Sequence, residues 1–93
     1  MYYVYILQSD KTGVYYVGQT NDLERRLNEH NSTIETKFTN RHYPWKLKAS
    51  FEIGDDRSLA LKIERHIKNQ KSKKYIKEII DRGSIEQIIR RYC

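Results

Sequence analysis

Residues 2–20 read YYVYILQSDKTGVYYVGQT, and this stretch decides the fold. Residues 2–8 are rich in aromatic and β-branched types, which are enriched in β-strands. Residues 9–13 carry turn-forming types, and residues 14–18 resume the character of the first segment. We therefore predict a β-hairpin in which these two strands pair.

A helix and a third strand are predicted after the hairpin. Asn21 is a capping residue with Glu24 three positions later, which predicts a helix over residues 22–30. Residues 31–44 are polar and irregular, as is typical of a surface loop. Residues 45–53 then alternate between apolar and polar types, so we expect a strand with one apolar face formed by Trp45, Leu47, Ala49, Phe51 and Ile53.

Three further helices are predicted in the second half of the chain. The first begins after residues 54–56 and runs to about Asn69; Ser72 and Gly83 bound the second. A capping box of Ser84 and Gln87 opens the last. The order ββαβααα indicates an α+β fold, a small three-stranded antiparallel sheet flanked by helices. We expect one domain over residues 1–93, with a core in about 1–75 and C-terminal helices in 72–92.

The composition favours a compact chain with a polyanionic partner. The 93 residues carry 18 Lys and Arg against 12 Asp and Glu, which gives a net charge of +6 and suits a nucleic acid. The longest apolar run, residues 1–7, is far shorter than the ~20 residues of a membrane helix. The single cysteine, Cys93, has no second cysteine with which to form a disulfide. We expect a cytoplasmic protein without membrane contact.

Basic residues are concentrated in residues 62–77, where seven Lys and Arg accompany one acid, Glu64. This density can follow a phosphate backbone, although a solvated helix surface has the same pattern. We predict nucleic-acid contacts from this run and from the polar loop at Arg41, Lys68, Lys71, Lys73 and Lys74. Tyr43 and Trp45 offer stacking on unpaired bases, but core packing is favoured for Trp45.

Phosphodiester hydrolysis needs an activated nucleophile, a group that holds the phosphate and a cation that neutralises developing charge. The sequence has no carboxylate cluster for two metals, no P-loop lysine and no serine elbow. It has tyrosines on the hairpin instead. Residues 3–5 (YVY) and 16–18 (YVG) resemble the two triplets of GIY-YIG nucleases, in the same hairpin setting and spacing.

The resemblance extends beyond the hairpin, over roughly residues 1–75. Residues 21–30 are similar to the first helix of the family, which carries a catalytic arginine, and residues 60–64 to the helix with a metal-binding glutamate. The chain is most similar to small stand-alone members. The resemblance implies the fold above and a site made of Tyr5, Tyr16, Gly18, Arg26, His30 and Glu64.

The family mechanism implies a role for each of these side chains. The tyrosine at the position of Tyr5 helps to activate a water, and Tyr16 helps to orient the water or the phosphate. Arg26 offers a fork of donors to phosphate oxygens, and its charge with that of a metal favours the phenolate. Glu64 is suited to one Mg²⁺ or Mn²⁺ ion. His30 relays a proton or orients Arg26.

The function implied is a metal-dependent DNA endonuclease of low sequence specificity, in repair or recombination. Its DNA is double-stranded, branched or single-stranded, and a protein partner can supply specificity. The alternative is a nucleic-acid-binding protein of this fold with little catalysis. Two departures keep it open. Gln19 stands where some members have a basic residue after the glycine. Ile76 or Lys77 falls in the region where many members have an asparagine, and Asn69 is the only nearby candidate.

Each residue taken alone also has a purely structural interpretation. Strand tyrosines such as Tyr5 and Tyr16 usually pack on a sheet, and Gly18 can simply end a strand. Arg26 can lie along its own helix, and Glu64 can pair with Lys68 one turn later. The motif-wide match, rather than any one residue, favours the nuclease interpretation.

Overall fold

A computed structural model of the protein describes residues 1–31 and 41–92. Within them the chain forms β1 (Tyr2–Ser9), β2 (Tyr15–Thr20), α1 (Leu23–His30), β3 (Trp45–Gly54), α2 (Arg57–Asn69), α3 (Lys73–Arg82) and α4 (Glu86–Tyr92). This is the predicted order, and the α+β class is confirmed. Most of the predicted polar loop (residues 32–40) and Cys93 lie outside the described residues.

β1 is the central strand of a three-stranded antiparallel sheet with the order β2-β1-β3. The predicted hairpin is confirmed, and in its register Tyr5 lies opposite Gly18 and Leu7 lies opposite Tyr16. Because side chains alternate between the two faces of a strand, all four of these residues belong to one face of the sheet. The two motif triplets therefore meet on the same surface.

Each face of the sheet has its own apolar cluster. On one face β1 and β2 pack against α2, α3 and α4, through Val4, Ile6, Val17, Ile63, Ile67, Ile79, Ile85 and Ile88. On the other face Tyr5, Leu7 and Trp45 are buried, with the α1 residues Leu23 and Leu27 packed against them. Full burial of one such aliphatic side chain contributes about 1.5–3 kcal/mol. The motif tyrosines therefore lie on the face that α1 covers.

The prediction that β3 has one continuous apolar face is wrong. Ile6 pairs with Ala49 while the next residue of β1, Leu7, pairs with Leu47, so the register shifts by one residue at Lys48. An extra residue in one strand is a β-bulge, and it reverses the face to which the residues on either side belong. Trp45 consequently packs with the motif tyrosines, on the opposite face from Phe51.

The cap predicted for α1 is displaced by one residue. Asn21 does not cap the helix; the carboxylate of Asp22 accepts the backbone N–H of Arg25 instead. The extended backbone of Asp22 brings its side chain to this N–H, as the N-cap position requires. Thr20 fixes the approach, because its hydroxyl accepts the N–H of Asp22. α1 is thereby anchored directly to the end of β2.

The bounds of the late helices are predicted better at α3 than at α4. Ser72 caps α3 and Gly83, in the left-handed conformation with φ 70°, ends it as expected. The predicted capping box of α4 is wrong, because the Ser84 hydroxyl accepts the N–H of Glu86 rather than that of Gln87. In the described ranges no helix is both long and apolar enough to cross a membrane.

Candidate active site

The site is built around Tyr5, which lies in the middle of the central strand and is only 2% exposed. Across β2 its ring lies over Gly18, where a Cβ would come within 2.6 Å of Tyr5 Cζ. Real Cβ atoms do not approach a ring carbon so closely, so any larger residue at position 18 would displace the phenol. Gly18 is thus more than a strand-end glycine: it makes the space that Tyr5 occupies.

The Tyr5 hydroxyl is held between two residues of α1. Arg26 Nε donates to it at 3.3 Å, and its distance to His30 Nε2 is 2.9 Å. Arg26 also donates to the Glu29 carboxylate at 3.3 Å. The His30 side chain is fully buried, so its contact with Tyr5 lies inside the protein and not at the surface. Three of the residues implied by the resemblance therefore meet at one oxygen atom.

Tyr16 lies beside Tyr5 in an aromatic cluster. The two phenol rings are stacked with centroids 6.4 Å apart, and the His30 ring meets Tyr16 edge-on at 4.5 Å. Trp45, which is 4% exposed, contacts Tyr16 at 6.0 Å. This confirms core packing for Trp45 and removes it as a stacking platform for bases. Tyr43, at 45% exposed, keeps that possibility.

Glu64 lies on α2 with its carboxylate in an ion pair with Lys68, 3.2 Å away. The Glu64 side chain is 15% exposed and that of Lys68 is 47% exposed. The Lys68 ammonium also lies 5.5 Å above the ring of Tyr16. The simple helix pair that the sequence permits is therefore present. The charge of Glu64 nevertheless reaches the site, since it helps to raise the pKa of Tyr5.

The Glu64 donor set fits a single, loosely held divalent ion. Among the described residues, no three His, Cys, Asp or Glu side chains lie close enough together to hold an ion by themselves. A lone carboxylate is nevertheless a usual protein ligand for Mg²⁺, whose other positions are filled by water and substrate phosphate. Glu64 is the residue that would hold it.

Without a metal ion, Tyr5 is a neutral phenol and not the phenolate that Arg26 and a metal together are expected to favour. Burial raises its pKa to about 12, and the hydrogen bond from Arg26 offsets only part of that effect. The pKa of the Arg26 guanidinium is raised as well: burial alone would lower it, but the bond to Tyr5 and the contacts with Glu29 and Tyr16 outweigh that effect. At neutral pH the pair is therefore a neutral phenol beside a permanent cation.

The predicted nucleic-acid contacts divide between several places. Lys68, Lys71 and Lys73 line one cleft of about 270 Å³ beside β2. Tyr15 also lines this cleft, and the Lys73 ammonium lies 5.9 Å from the centroid of its ring. Lys74 is exposed on α3 but does not line this cleft. Arg41, the first described residue before β3, is also exposed and does not line it. The structure thus brings three of the five together.

The sequence interpretation missed Asn31, which follows α1 directly. Its amide brackets the first residue of β3: Oδ1 accepts the Trp45 backbone N–H at 2.7 Å and Nδ2 donates to the Trp45 carbonyl at 3.2 Å. The adjacent His30 is thereby fixed against the sheet. An asparagine at a helix end is a common cap, so the sequence carried only an unspecific signal.

The lack of a basic residue at position 19 matters less to the site than the sequence suggests. Gln19 lies opposite Val4 in the sheet, whereas its neighbour Gly18 lies opposite Tyr5. Alternation along β2 therefore places Gln19 on the face away from the motif tyrosines. The departure at this position leaves the Tyr5 cluster unchanged.

The chain is similar in sequence to a known catalytic domain and to several small proteins. Residues 1–77 match the GIY-YIG catalytic domain. A UPF0213 protein of Haloquadratum walsbyi is 41% identical over 68 residues, 73% of this chain and 74% of that protein. The UPF0213 protein YsiG of Lactococcus lactis is 39% identical over 87 residues, covering 92% of this chain and 81% of YsiG.

A solved structure supports the same assignment. The solution NMR structure of a UPF0213 protein from Bacillus halodurans is similar with a TM-score of 0.55 and 28% identity, over 95% of this chain and 93% of that one. The chain therefore belongs to the GIY-YIG family of nuclease domains. Within that family its relatives include the small UPF0213 proteins.

Proposed function

We propose that the protein is a metal-dependent endonuclease that hydrolyses DNA phosphodiester bonds at the site formed by Tyr5, Tyr16, Arg26 and Glu64. The observation that carries this proposal is the hydroxyl of Tyr5, bonded by Arg26 on one side and His30 on the other. A buried phenol needs only one such partner to be satisfied. Its placement between a cation and an imidazole is what a proton relay beside a phosphate requires.

Arg26 binds the scissile phosphate. Its Nε is used by Tyr5 and one terminal nitrogen by Glu29, while about a third of its side chain is exposed. From this exposed part the guanidinium donates to phosphate oxygens, where a fork of N–H groups stabilises the extra negative charge of the transition state. Loss of one such contact costs about 3 kcal/mol, roughly 100-fold in rate.

Glu64 would hold one Mg²⁺ or Mn²⁺ ion in place of its ion pair with Lys68. When bound, the ion lowers the pKa of a coordinated water and neutralises phosphate charge. Tyr5 accepts the proton of the attacking water while it passes its own proton to His30 Nε2, which lies 2.9 Å from the hydroxyl. This concerted exchange avoids a free phenolate, which a pKa of about 12 disfavours. Tyr16 orients the water.

The relay makes His30 a positioning residue that acts through Tyr5. His30→Phe keeps an aromatic ring in the cluster but removes the proton acceptor. We expect it to lower the single-turnover rate about 100-fold, as general-base removal usually does. Equal rates for His30→Phe and the wild type would show that His30 serves only to pack the cluster.

The substrate is DNA with an accessible strand, either single-stranded or branched, with double-stranded DNA cut less well. The cleft with Lys68, Lys71 and Lys73 provides ammonium groups without base-specific donors, which favours backbone contacts and low sequence specificity. The exposed ring of Tyr43 can stack on an unpaired base. Such a substrate places the activity in repair or recombination, where a protein partner can supply specificity.

A second candidate function has one observation in its favour. The Lys68 ammonium already neutralises the Glu64 carboxylate at 3.2 Å. A protein in which this lysine permanently replaces the metal would bind nucleic acid through the same cleft and cut little. This binding-only alternative predicts little or no cleavage, whether Mg²⁺ is present or removed by a chelator.

The test is cleavage of a labelled single strand, a labelled fork and a supercoiled plasmid, each with Mg²⁺, with Mn²⁺ and with excess chelator. Two adjacent arginines provide a matched pair that excludes a contaminating nuclease. Arg26→Lys should lower cleavage about 100-fold or more, because a lysine lacks the fork, whereas Arg25→Lys on the exposed side should not. Cutting that survives the chelator, or that both variants retain, would refute the proposal.

A further inference from the structure

α2 divides the basic run of residues 62–77 between two different surfaces. With about 100° of rotation per residue, Lys68 lies about 40° from Glu64 around the helix axis. Lys62 and Arg65 lie about 160° and about 100° from Glu64. These two cations therefore face away from the candidate active site, on the side of α2 that the proposed mechanism does not use.

On that side the structure contains a second, larger cleft of about 660 Å³, which we call the distal cleft. α2, α3 and α4 each contribute to its lining, which includes Lys62, Arg65, Asn69, Gln70, Tyr75 and Arg91. Arg91 is far from the other two cations in sequence, so the cluster exists only in the folded chain. Asn69, the candidate for the family asparagine, lies here and not beside Glu64.

The distal cleft is held in shape by aromatic contacts. The His66 Nδ1 atom is 2.9 Å from the Tyr92 hydroxyl, which links α2 to α4. The His66 ring also meets the rings of Tyr92 and Tyr75, at centroid distances of 5.6 and 6.4 Å. Three helices are thus joined at one imidazole. Lys62, Arg65 and Arg91 therefore lie on helices that are packed against each other, which fixes the positions of their backbones.

The electrostatics of the distal cleft favour an anion. No Asp or Glu is among the residues that line it. Within the described chain Lys62, Arg65 and Arg91 have no ion pair, unlike Lys68 with Glu64 and Arg90 with Glu86. Burial raises the pKa of Tyr75, and the charges of Arg82 and Arg91 act against that rise. Three like charges without a counter-ion repel each other, and a polyanion would remove this cost.

We propose that the distal cleft binds the sugar-phosphate backbone of the nucleic-acid strand at a point remote from the scissile phosphate. The proposal rests on the proposed function in taking the substrate strand as the ligand. Lys62, Arg65 and Arg91 contact phosphates, while the Asn69 and Gln70 amides offer hydrogen bonds to sugars or base edges. An α-helix with its side chains is about 10–12 Å thick, so a strand reaches both sites only by passing around α2.

This geometry predicts a dependence on strand length. A strand of about 4 nucleotides fills one site, whereas a strand of about 20 nucleotides exceeds the usual single-strand sites and spans both. Contacts in the distal cleft therefore strengthen binding of the long strand relative to the short one. They do not alter the chemical step once the strand is bound.

The experiment measures binding in a Glu64→Gln background, where cleavage cannot interfere. Lys62→Ala with Arg65→Ala is compared with Lys48→Ala with Arg57→Ala, which removes the same charges from exposed positions outside the distal cleft. Fluorescence anisotropy gives Kd for labelled strands over a range of salt. Thermal melts of both double variants verify that each is folded.

We expect the distal double variant to bind the strand of about 20 nucleotides roughly 10-fold more weakly, with a salt slope smaller by about 1.4 for two lost phosphate contacts. The control variant should change Kd less than about 3-fold, and neither should change binding of the short strand by more. As an independent readout, backbone amide resonances of residues 62, 65, 69 and 91 should shift when the long strand is titrated into Glu64→Gln.

Equal losses in the two double variants, unshifted amides at these positions, or no binding of the long strand would overturn the proposal. A mononucleotide that binds the distal cleft as tightly as the long strand would also overturn it, in favour of a free-nucleotide site. The outcome is separable from that of the proposed function. A protein that never cuts DNA yet shows the distal effect would refute the nuclease and leave the distal cleft in place.

Discussion

The ring of Tyr5 occupies the space that a side chain on Gly18 would need, so the two motif triplets are fitted to each other across β1 and β2. The clash involves Cζ, the atom that carries the hydroxyl. A change at Gly18 therefore acts on the same oxygen that Arg26 and His30 bind. The glycine of the second triplet is a condition for the chemistry of the first.

Gly18→Ala tests this relationship. The added methyl group must move Tyr5, and overpacking of this kind costs about 1–3 kcal/mol of stability. We expect the variant to remain folded but to cleave about 100-fold more slowly, because a misplaced catalytic group loses that much. Melting temperature and single-turnover rate are measured together. Ser50→Ala is the control, since Ser50 is the exposed residue opposite Tyr5 on β3. A fully active Gly18→Ala protein would show that the placement of Tyr5 for catalysis does not depend on the glycine.

The hydroxyl of Tyr5 should be detectable in the dependence of stability on pH. Its folded-state pKa is about 12 against 10.0 for the free side chain. A raised pKa contributes stability that is complete below about pH 10 and is lost as the pH rises to about 12. The full contribution is about 2–3 kcal/mol, since one pKa unit corresponds to about 1.4 kcal/mol.

We therefore expect the wild type to lose about 1 kcal/mol more unfolding free energy between about pH 9 and about pH 11 than Tyr5→Phe does. Denaturant titrations at the two pH values measure the difference. Tyr2→Phe, which removes a phenol from the same strand, should behave as the wild type. An identical pH dependence in wild type and Tyr5→Phe would mean that burial does not control this phenol.

Two adjacent lysines test the role of the cleft beside β2. Lys73 lines it and Lys74 does not. Lys73→Ala should weaken binding of a single strand and reduce the salt slope by about 0.7, as the loss of one phosphate contact does. Lys74→Ala should leave both nearly unchanged. A larger loss of binding in Lys74→Ala than in Lys73→Ala would mean that the nucleic acid contacts another surface.

Local patterns predicted the hairpin and the site members because both depend on short spacings. Tyr5 and Gly18 belong to triplets in paired strands, so the register alone brings them together. Glu64 and Lys68 are one turn apart on a helix, and their ion pair follows from that spacing. The order of elements follows in the same way from the alternation and capping signals along the chain.

Features that depend on tertiary packing could not be predicted. The bulge at Lys48, which moves Trp45 to the tyrosine face, leaves the alternating pattern of β3 intact in the sequence. The raised pKa of Tyr5 arises from burial under α1, which no local pattern contains. Arg91 joins Arg65 only because α4 packs beside α2. Each of these depends on which segments meet rather than on what each segment is.

The central claim is that Glu64 serves catalysis rather than the stability of α2. The Glu64–Lys68 pair is a helix pair with a half-exposed lysine, so its loss should cost no more than about 0.5 kcal/mol. Glu64→Gln keeps the size and helix propensity of the side chain and removes only its charge. The variant should therefore fold as the wild type does and bind a DNA strand equally well or better.

The most direct measurement is the single-turnover cleavage rate of Glu64→Gln on a labelled strand in Mg²⁺, with a thermal melt of the same preparation. Glu78→Gln, an exposed acid on α3, is the matched control. We predict an unchanged melt, a rate at least about 100-fold below that of the wild type, and full activity in Glu78→Gln. A folded Glu64→Gln protein that cuts at the wild-type rate would contradict the account, as would a variant that loses activity because it unfolds.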